Sequence, residues 1–390
     1  MKIVIAPDSF KDSLSAISVC EIIRKSILTV VPGAVVESIP VADGGEGTAQ
    51  IMAAATGGKL VPCCVTGPLG DPVQAHWALL GDGETAVIEM AAASGLPLVP
   101  MDQRNPLHTT TYGTGQLILD AVQTGCNKII VAIGGSATTD FGTGMAQALG
   151  VRFIDAHGAE IKEYMRGGLM GNVASIDMTS LAAELHNVQI SVACDVTNPL
   201  LGERGAVRVY SPQKGASPTD CDVLEHNMAH ISALAAGALR DVRALPGAGA
   251  AGGLGGGLMA FLNADLRPGV ELVLETVGFM ERIKDADLII TGEGKIDTQT
   301  VFGKTVAGVC KAAQLQHIPV IAVAGSVDAS YAALRELGLT ACFSLCNRPM
   351  TLETAIDNAE NLLYNVTCEI VQVFFHSFNK SMEEKSINIV

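Results

Sequence analysis

Apolar residues in this chain come in short runs, and at least four of the runs stop at a loop that mixes small residues with a carboxylate. Residues 2–6 lead into Pro7-Asp8-Ser9-Phe10-Lys11, and residues 35–41 into Ala42-Asp43-Gly44-Gly45-Glu46-Gly47-Thr48. Residues 189–193 lead into Cys194-Asp195-Val196-Thr197-Asn198-Pro199, and residues 287–291 into Gly292-Glu293-Gly294-Lys295-Ile296-Asp297. Helical spacing intervenes. Residues 16–30 follow Ser13 and Ser15 and are stopped by Pro32-Gly33; residues 48–55 are ended by Gly57-Gly58. Alternating strand and helix predicts a parallel sheet with right-handed crossovers.

The rhythm changes near residue 67. Gly67-Pro-Leu-Gly-Asp-Pro72 is a turn cluster, and two apolar runs, 73–80 and 85–90, flank Gly81-Asp82-Gly83 as an antiparallel hairpin would. Short strands with glycine loops return at 288–290 and 319–324. These shifts predict an α/β chain in which a discontinuous doubly wound domain, residues 1–70 and 279–390, carries a second α/β domain, 71–278, inserted between its halves. Ligands favour domain interfaces, so a cleft between the two is the expected site. The polar tail from about Ser377 is expected to fray.

Composition narrows the functions. The chain has 390 residues, 48% of them hydrophobic, enough for two cores. A net charge of −15 repels nucleic acid and anionic membrane, so neither is an expected partner. A small anionic substrate remains compatible if a few cations are focused in a cleft. The ten cysteines form no C-x-x-C pair, as expected of reduced thiols in a cytoplasmic protein. A strand at the very start leaves no room for a signal peptide, and no apolar stretch is long enough to span a bilayer. Oligomeric state is left open.

In open α/β sheets, ligands bind at the carboxyl ends of strands. Glycine lets backbone N–H groups approach an anion, and carboxylates hold a metal or take a proton. Four such loops in one chain point to a phosphate-handling enzyme that uses Mg²⁺. The strand 128–133 adds Gly134-Gly135-Ser136-Ala137-Thr138-Thr139-Asp140, then Gly142-Thr143-Gly144 at a helix start: a phosphate cradle of backbone donors, hydroxyls and a helix N-terminus. An ordinary strand-to-helix turn is the plainer reading. Gly247-Ala-Gly249-Ala-Ala-Gly252 matches G-x-G-x-x-G but follows no strand, which favours a glycine loop lining the nucleotide site or a hinge over a dinucleotide fingerprint. Gly303-Lys304-Thr305 lacks the first glycine of a P-loop, although Lys304 can still reach a phosphate. His226 and His230 read as ordinary helix histidines rather than zinc ligands. Lys11, beside a carboxylate and a hydroxyl at a strand end, reads as an anion-binding cation.

The segments 6–16, 42–48, 134–138, 194–200, 246–253 and 292–300 together resemble the bacterial glycerate kinases of the type-1 family, across residues 1 to about 375. Two departures stand out: Asp140-Phe141-Gly142 where Asp-Gly-Gly is usual, and Lys295 where arginine is common. Lysine keeps the charge but loses the bidentate fork. The resemblance implies a flavodoxin-like discontinuous domain and phosphorylation of D-glycerate by ATP. On resemblance alone the acceptor is the C2 hydroxyl; C3, or another small hydroxy acid, is the alternative. A nucleotide-dependent oxidoreductase and a non-catalytic sugar-acid sensor are the readings outside kinase chemistry.

Site roles follow from that implication. Lys11 or Lys295 would hold the glycerate carboxylate, with Asp8, Ser9, Asp43, Gly44 and Asn198 around the substrate. Asp195 would be the base that accepts the hydroxyl proton, approaching from the other domain. Gly134, Gly135, Ser136, Thr138, Gly252 and Gly253 would bind ATP. Glu293 and Asp297, with Asp43 next and Glu46 available, would hold Mg²⁺. Residues 246–257 would serve as the hinge for closure.

Overall fold

Ile3 and Ile5 point to one face of a strand and Val4 to the other, yet all three are fully buried, so this strand needs cover on both sides. In the computed structural model of the chain, which describes residues 1–45, 47–297 and 305–387 (side chains to 376), it receives that cover. The chain forms two compact units: Met1–Asp43 with Val270–Val390, and Gly44–Gly269.

The chain opens with β1 (Lys2–Ile5), crosses through the helix Ala16–Val30, and adds β2 (Val35–Ser38) in parallel. Ser15 starts that helix by accepting the Ser18 N–H at 3.1 Å. Val19, Ile23 and Ile27, four apart, are its buried stripe.

In the second unit come β3 (Lys59–Thr66), β4 (Pro72–Leu79), β5 (Thr85–Glu89), β6 (Lys128–Ala132), a separate antiparallel pair β7 (Arg152–Asp155) and β8 (Val173–Asp177), then β9 (Gln189–Ala193) and β10 (Asp265–Arg267). Its main sheet has the order β10-β9-β6-β5-β4-β3. The four strands β5, β6, β9 and β10 are parallel, while β3 and β4 run antiparallel to their neighbours. The predicted hairpin is β4–β5, with Ala78 opposite Val87. The expected boundary at residue 70 differs from the observed one at 43/44. The reason is β3, which pairs along its length with β4, from Lys59–Leu79 to Thr66–Pro72, so the chain has already changed sheets by residue 59. At the other end, Val270 packs on Gly308 and Glu271 pairs with Lys311 at 3.1 Å, which ties the segment from 270 onward to the first unit.

The first unit then resumes with β11 (Leu288–Ile296), β12 (Val320–Val327) and β13 (Ala341–Ser344). All five strands are parallel, in the order β13-β12-β11-β1-β2. Counted within this unit, that is the 2-1-3-4-5 order of a flavodoxin-like doubly wound sheet. One face buries Ile3, Ile5, Leu288, Ile290, Ile321 and Val323 under the helices Ala16–Val30 and Ala359–Ile387. The expectation of a frayed tail is revised: the helical backbone continues to Ile387. Its last stretch is polar but contains no glycine or proline to break it. Among the described residues, no helix is long and apolar enough to cross a membrane.

Trp77, the single tryptophan, is fully buried in the second unit and donates its indole N–H to Asp120 Oδ2 at 2.7 Å. Trp77→Phe keeps the apolar contact but strands the carboxylate. It should cost about 1–3 kcal/mol, visible as an earlier midpoint in urea unfolding followed by circular dichroism.

Candidate active site

Strand order decides where each sheet can bind. In the first unit the connections diverge between β1 and β11, and the crevice of a doubly wound sheet opens beyond the carboxyl ends of those two strands. The loop after β1 stays laced to β11: Ala6 N–H donates to Ile290 O and Asp8 N–H to Gly292 O, both at 2.8 Å, and Thr291 Oγ1 donates to Ala6 O at 2.7 Å. Gly294 lies flat against Lys11 and Phe10; an added Cβ would sit 3.3 Å from Lys11 N. This brings Asp8, Ser9, Lys11, Glu293, Lys295 and Asp297 to the same sheet edge.

Their states differ. Asp8 accepts the Ser9 N–H at 2.6 Å and the Thr305 hydroxyl. Burial, with the negative charge of Asp43 adding to it, raises the Asp8 carboxyl above the ordinary range against those hydrogen bonds. Lys11 is exposed. Glu293, Lys295 and Asp297, two apart, share one side of the β11 end. Glu293 is 8% exposed, whereas Lys295 is exposed and its Nζ lies 3.2 Å from Asp297 Oδ2. Two predicted roles, anion binding and metal binding, thus fall on one ion pair. Among the described residues no three His, Cys, Asp or Glu side chains converge on a metal-sized point. Glu46 and Lys304 lie outside the described residues.

The second unit has its own row of strand ends. Glu89, Ala132, Ala193 and Arg267 stand side by side across β5, β6, β9 and β10. Just beyond that row, Gly44 and Gly45 pass over the sheet edge. Gly44 has φ +90°, and a Cβ there would meet Ala193 Cβ at 2.8 Å and Gly269 Cα at 3.3 Å, so only glycine fits. Gly134 faces Gly45, and Asp195 Oδ1 accepts the Gly269 N–H at 2.9 Å. Gly44, Gly134 and Asp195, far apart in sequence, are therefore neighbours on one edge. Asp195 is exposed there, with one oxygen oriented by the backbone.

The 134–138 loop is anchored from behind. Leu96 N–H donates to Gly135 O and Ala137 N–H to Ser94 O, both at 2.9 Å, and the Thr109 hydroxyl donates to Ala137 O. Gly134 and Gly135 stay exposed, while Ser136 and Thr138 are buried. The expected helix N-terminus is not available to a phosphate. The fully buried carboxylate of Asp140 takes the N–H groups of Gly142 (3.1 Å) and Gly144 (3.3 Å), plus the N–H and hydroxyl of Thr111. Burial pushes the Asp140 carboxyl up; those four donors pull it back. Any anion on this loop must use the loop's own donors.

Two further expectations are revised. The glycine pattern at 247–252 is packing. Gly252, at φ +68°, leaves 1.9 Å between a hypothetical Cβ and Thr138 O, and Gly253 sits on Phe141 and Leu200. This segment supports the 134–138 loop inside the second unit. It is not where the chain passes between units, so a hinge there has no structural basis; the crossings are at 43/44 and 269/270. Asn198 spends both ends of its amide internally: Nδ2 donates to Arg204 O at 2.8 Å, and Oδ1 accepts the Tyr210 hydroxyl at 2.7 Å. His230 bonds Val173 O at 2.6 Å, in keeping with an ordinary helix histidine.

Two residues escaped the sequence reading. Glu89 accepts the Ala49 N–H at 2.7 Å and the Gly47 N–H at 3.2 Å, holding the backbone at Gly47 and Ala49. A carboxylate ending an apolar run was the available signal. Lys214 Nζ donates to Ser136 Oγ at 2.7 Å and to Thr138 O at 2.5 Å, directly behind the loop. Nothing in Ser211-Pro-Gln-Lys-Gly215 distinguishes it from a solvated turn lysine.

Comparison with known proteins agrees with this architecture. A model of the glycerate kinase family matches residues 3–375. The chain is 51% identical to a glycerate kinase of Bacillus subtilis (strain 168), over 95% of this chain and 97% of that one. It is 49% identical to a glycerate 2-kinase of Escherichia coli (strain K12), over 92% and 94%. A crystal structure from Salmonella typhimurium LT2, assigned to glycerate kinase 2, superposes with a TM-score of 0.89 at 46% identity, covering 97% of this chain and 99% of that one. Spanning nearly the whole length in sequence and in fold, these matches establish that the chain belongs to the glycerate kinase family.

Proposed function

We propose that this chain transfers the γ-phosphoryl group of ATP to the C2 hydroxyl of D-glycerate, giving 2-phosphoglycerate. The family carries the kinase and the acid; the relative named glycerate 2-kinase supports the position. The structural observation that bears most weight is the exposed Gly134-Gly135 backbone at a parallel strand end, rigidly anchored behind and flanked by the oriented Asp195 carboxylate. The G-x-G-x-x-G pattern gives an oxidoreductase no support, because its glycines face protein.

Phosphoryl transfer demands positioning and charge neutralisation more than covalent help. The N–H groups of the 134–138 loop would take the ATP phosphates. Lys11 would take the glycerate carboxylate, with Lys295 beside it and Asp8 and Ser9 shaping the pocket. Asp195, exposed and oriented by Gly269, would accept the hydroxyl proton as the oxygen attacks. Asn198 would act only by holding the loop after β9, since its amide is already engaged.

The residues present fit Mg²⁺. Hard oxygen donors occur at this edge in ones and twos, which leaves positions for phosphate oxygens and water. Glu293 and Asp297 would hold the ion, with Asp43 as the next donor. The repulsion that Asp43 exerts on Asp8 is a further sign that this edge suits a cation. When bound, Mg²⁺ would offset the negative charge of the phosphates during transfer.

With ATP, Mg²⁺ and D-glycerate, product read through enolase should appear without added phosphoglycerate mutase; signal only with mutase would move the acceptor to C3, and none with either would leave the acceptor wrong. Asp195→Asn should lower kcat by roughly a hundredfold or more if it is the base, and a loss under about threefold would remove it from that role. Lys11→Met should raise KM for glycerate by roughly tenfold or more while leaving KM for ATP near wild type.

A further inference from the structure

Lys214 ends the turn Pro212–Lys214 and is only 2% exposed. An ammonium has three N–H donors. Among the described residues Nζ finds two acceptors, Ser136 Oγ and Thr138 O, both in the loop proposed to hold phosphates. A neutral amine, with two N–H groups, matches those two acceptors. In the same loop the hydroxyl of Thr138 is buried and has no partner among the described residues. Asp140 is the charged group that acts on Lys214, and its carboxylate is shared among Thr111, Gly142 and Gly144. On the other side, Gly215 packs on the Arg104 backbone, and the Arg104 guanidinium turns to Val99 O. Burial draws the Lys214 amine down to about 7, with Asp140 opposing. Negative charge arriving nearby would favour the ammonium.

We propose that Lys214 is a positioning residue behind the 134–138 loop, and that its Nζ takes up a proton when a phosphate group settles on the loop's exposed face. The proton comes from solvent and forms an N–H bond with the amine lone pair; no bond in the nucleotide changes. The loop thereby gains its positive charge together with its ligand, while the empty site avoids a fully charged buried lysine. This rests on the reading that the loop binds ATP phosphates.

The test is calorimetry of ATP binding at pH 8 in buffers of different ionisation enthalpy, on wild type, Lys214→Met and Lys214→Arg, with folding checked by Trp77 emission. Wild type should take up a large fraction of one proton per site more than either variant. KM for ATP should rise roughly tenfold or more in Lys214→Met and be partly restored in Lys214→Arg. The free protein offers a second readout. Between about pH 7 and 10.5 the unfolded chain binds a proton at this amine that the native chain lacks, so stability from this group rises with pH. Lys214→Met should flatten that rise in thermal melts. Equal proton counts in wild type and both variants overturn the proposal, and so does an unchanged KM for ATP. Gly134→Asp separates the two readings, since it sets a carboxylate beside the loop on the side that meets Gly45, where there is room for a Cβ. If it leaves ATP affinity intact, the phosphate-loop reading fails. If it weakens ATP while the Lys214 variants keep the wild-type proton count, only the Lys214 proposal fails.

Discussion

The carboxylate of Asp140 organises the centre of the second unit. Fully buried, it would be costly if left bare, and its cost is offset by gathering two backbone N–H groups from the turn that follows it and two donors from Thr111. Those bonds join the turn at Asp140, the helix Thr143–Ala148 and the residue before the helix Tyr112–Gln123 into one corner. Phe141 is forced to φ +55° within it and fills the core against Phe261. The same carboxylate faces Lys214, so charge, turn geometry and loop position are set together.

Glycine works in this corner by absence. Gly252 and Gly257 let two backbone segments approach so closely that a Cβ would sit 1.9 Å from Thr138 O and 2.2 Å from Phe141 O. The loop that faces solvent at Gly134 and Gly135 is therefore backed by main chain and by one buried lysine. A loop held in this way can present its N–H groups without reorganising, which is what stabilising a phosphoryl-transfer transition state requires.

The two sheets reach their functional edges by different routes. In the first unit the reversal of strand order between β1 and β11 leaves a crevice, and Asp8, Lys11, Glu293 and Asp297 occupy the loops around it. In the second unit the parallel strands follow one another without reversal, and Gly44 and Gly45 cross the strand ends instead, with Glu89 holding the N–H groups of Gly47 and Ala49. Like charge at Asp8 and Asp43, and the ion pair of Lys295 with Asp297, bring both signs of charge to the first edge.

Much of this was legible from residues alone. Short apolar runs ending in glycine and carboxylate identified the parallel α/β class and the strand-end loops, because local periodicity and turn chemistry report on neighbours in the chain; the family came from the resemblance of whole segments. What they cannot report is which distant segments meet. That residues 59–66 join the second sheet follows from pairing with β4; that G-x-G-x-x-G is packing follows from Thr138, more than a hundred residues away. The helix N-terminus that reads as open to phosphate is filled by Asp140. Lys214, indistinguishable in sequence from a solvated turn lysine, lies 78 and 76 positions from the two acceptors that hold it. Side-chain identity and spacing belong to the sequence; burial, and with it the protonation state and partners of Asp140 and Lys214, exists only once the chain has closed around them.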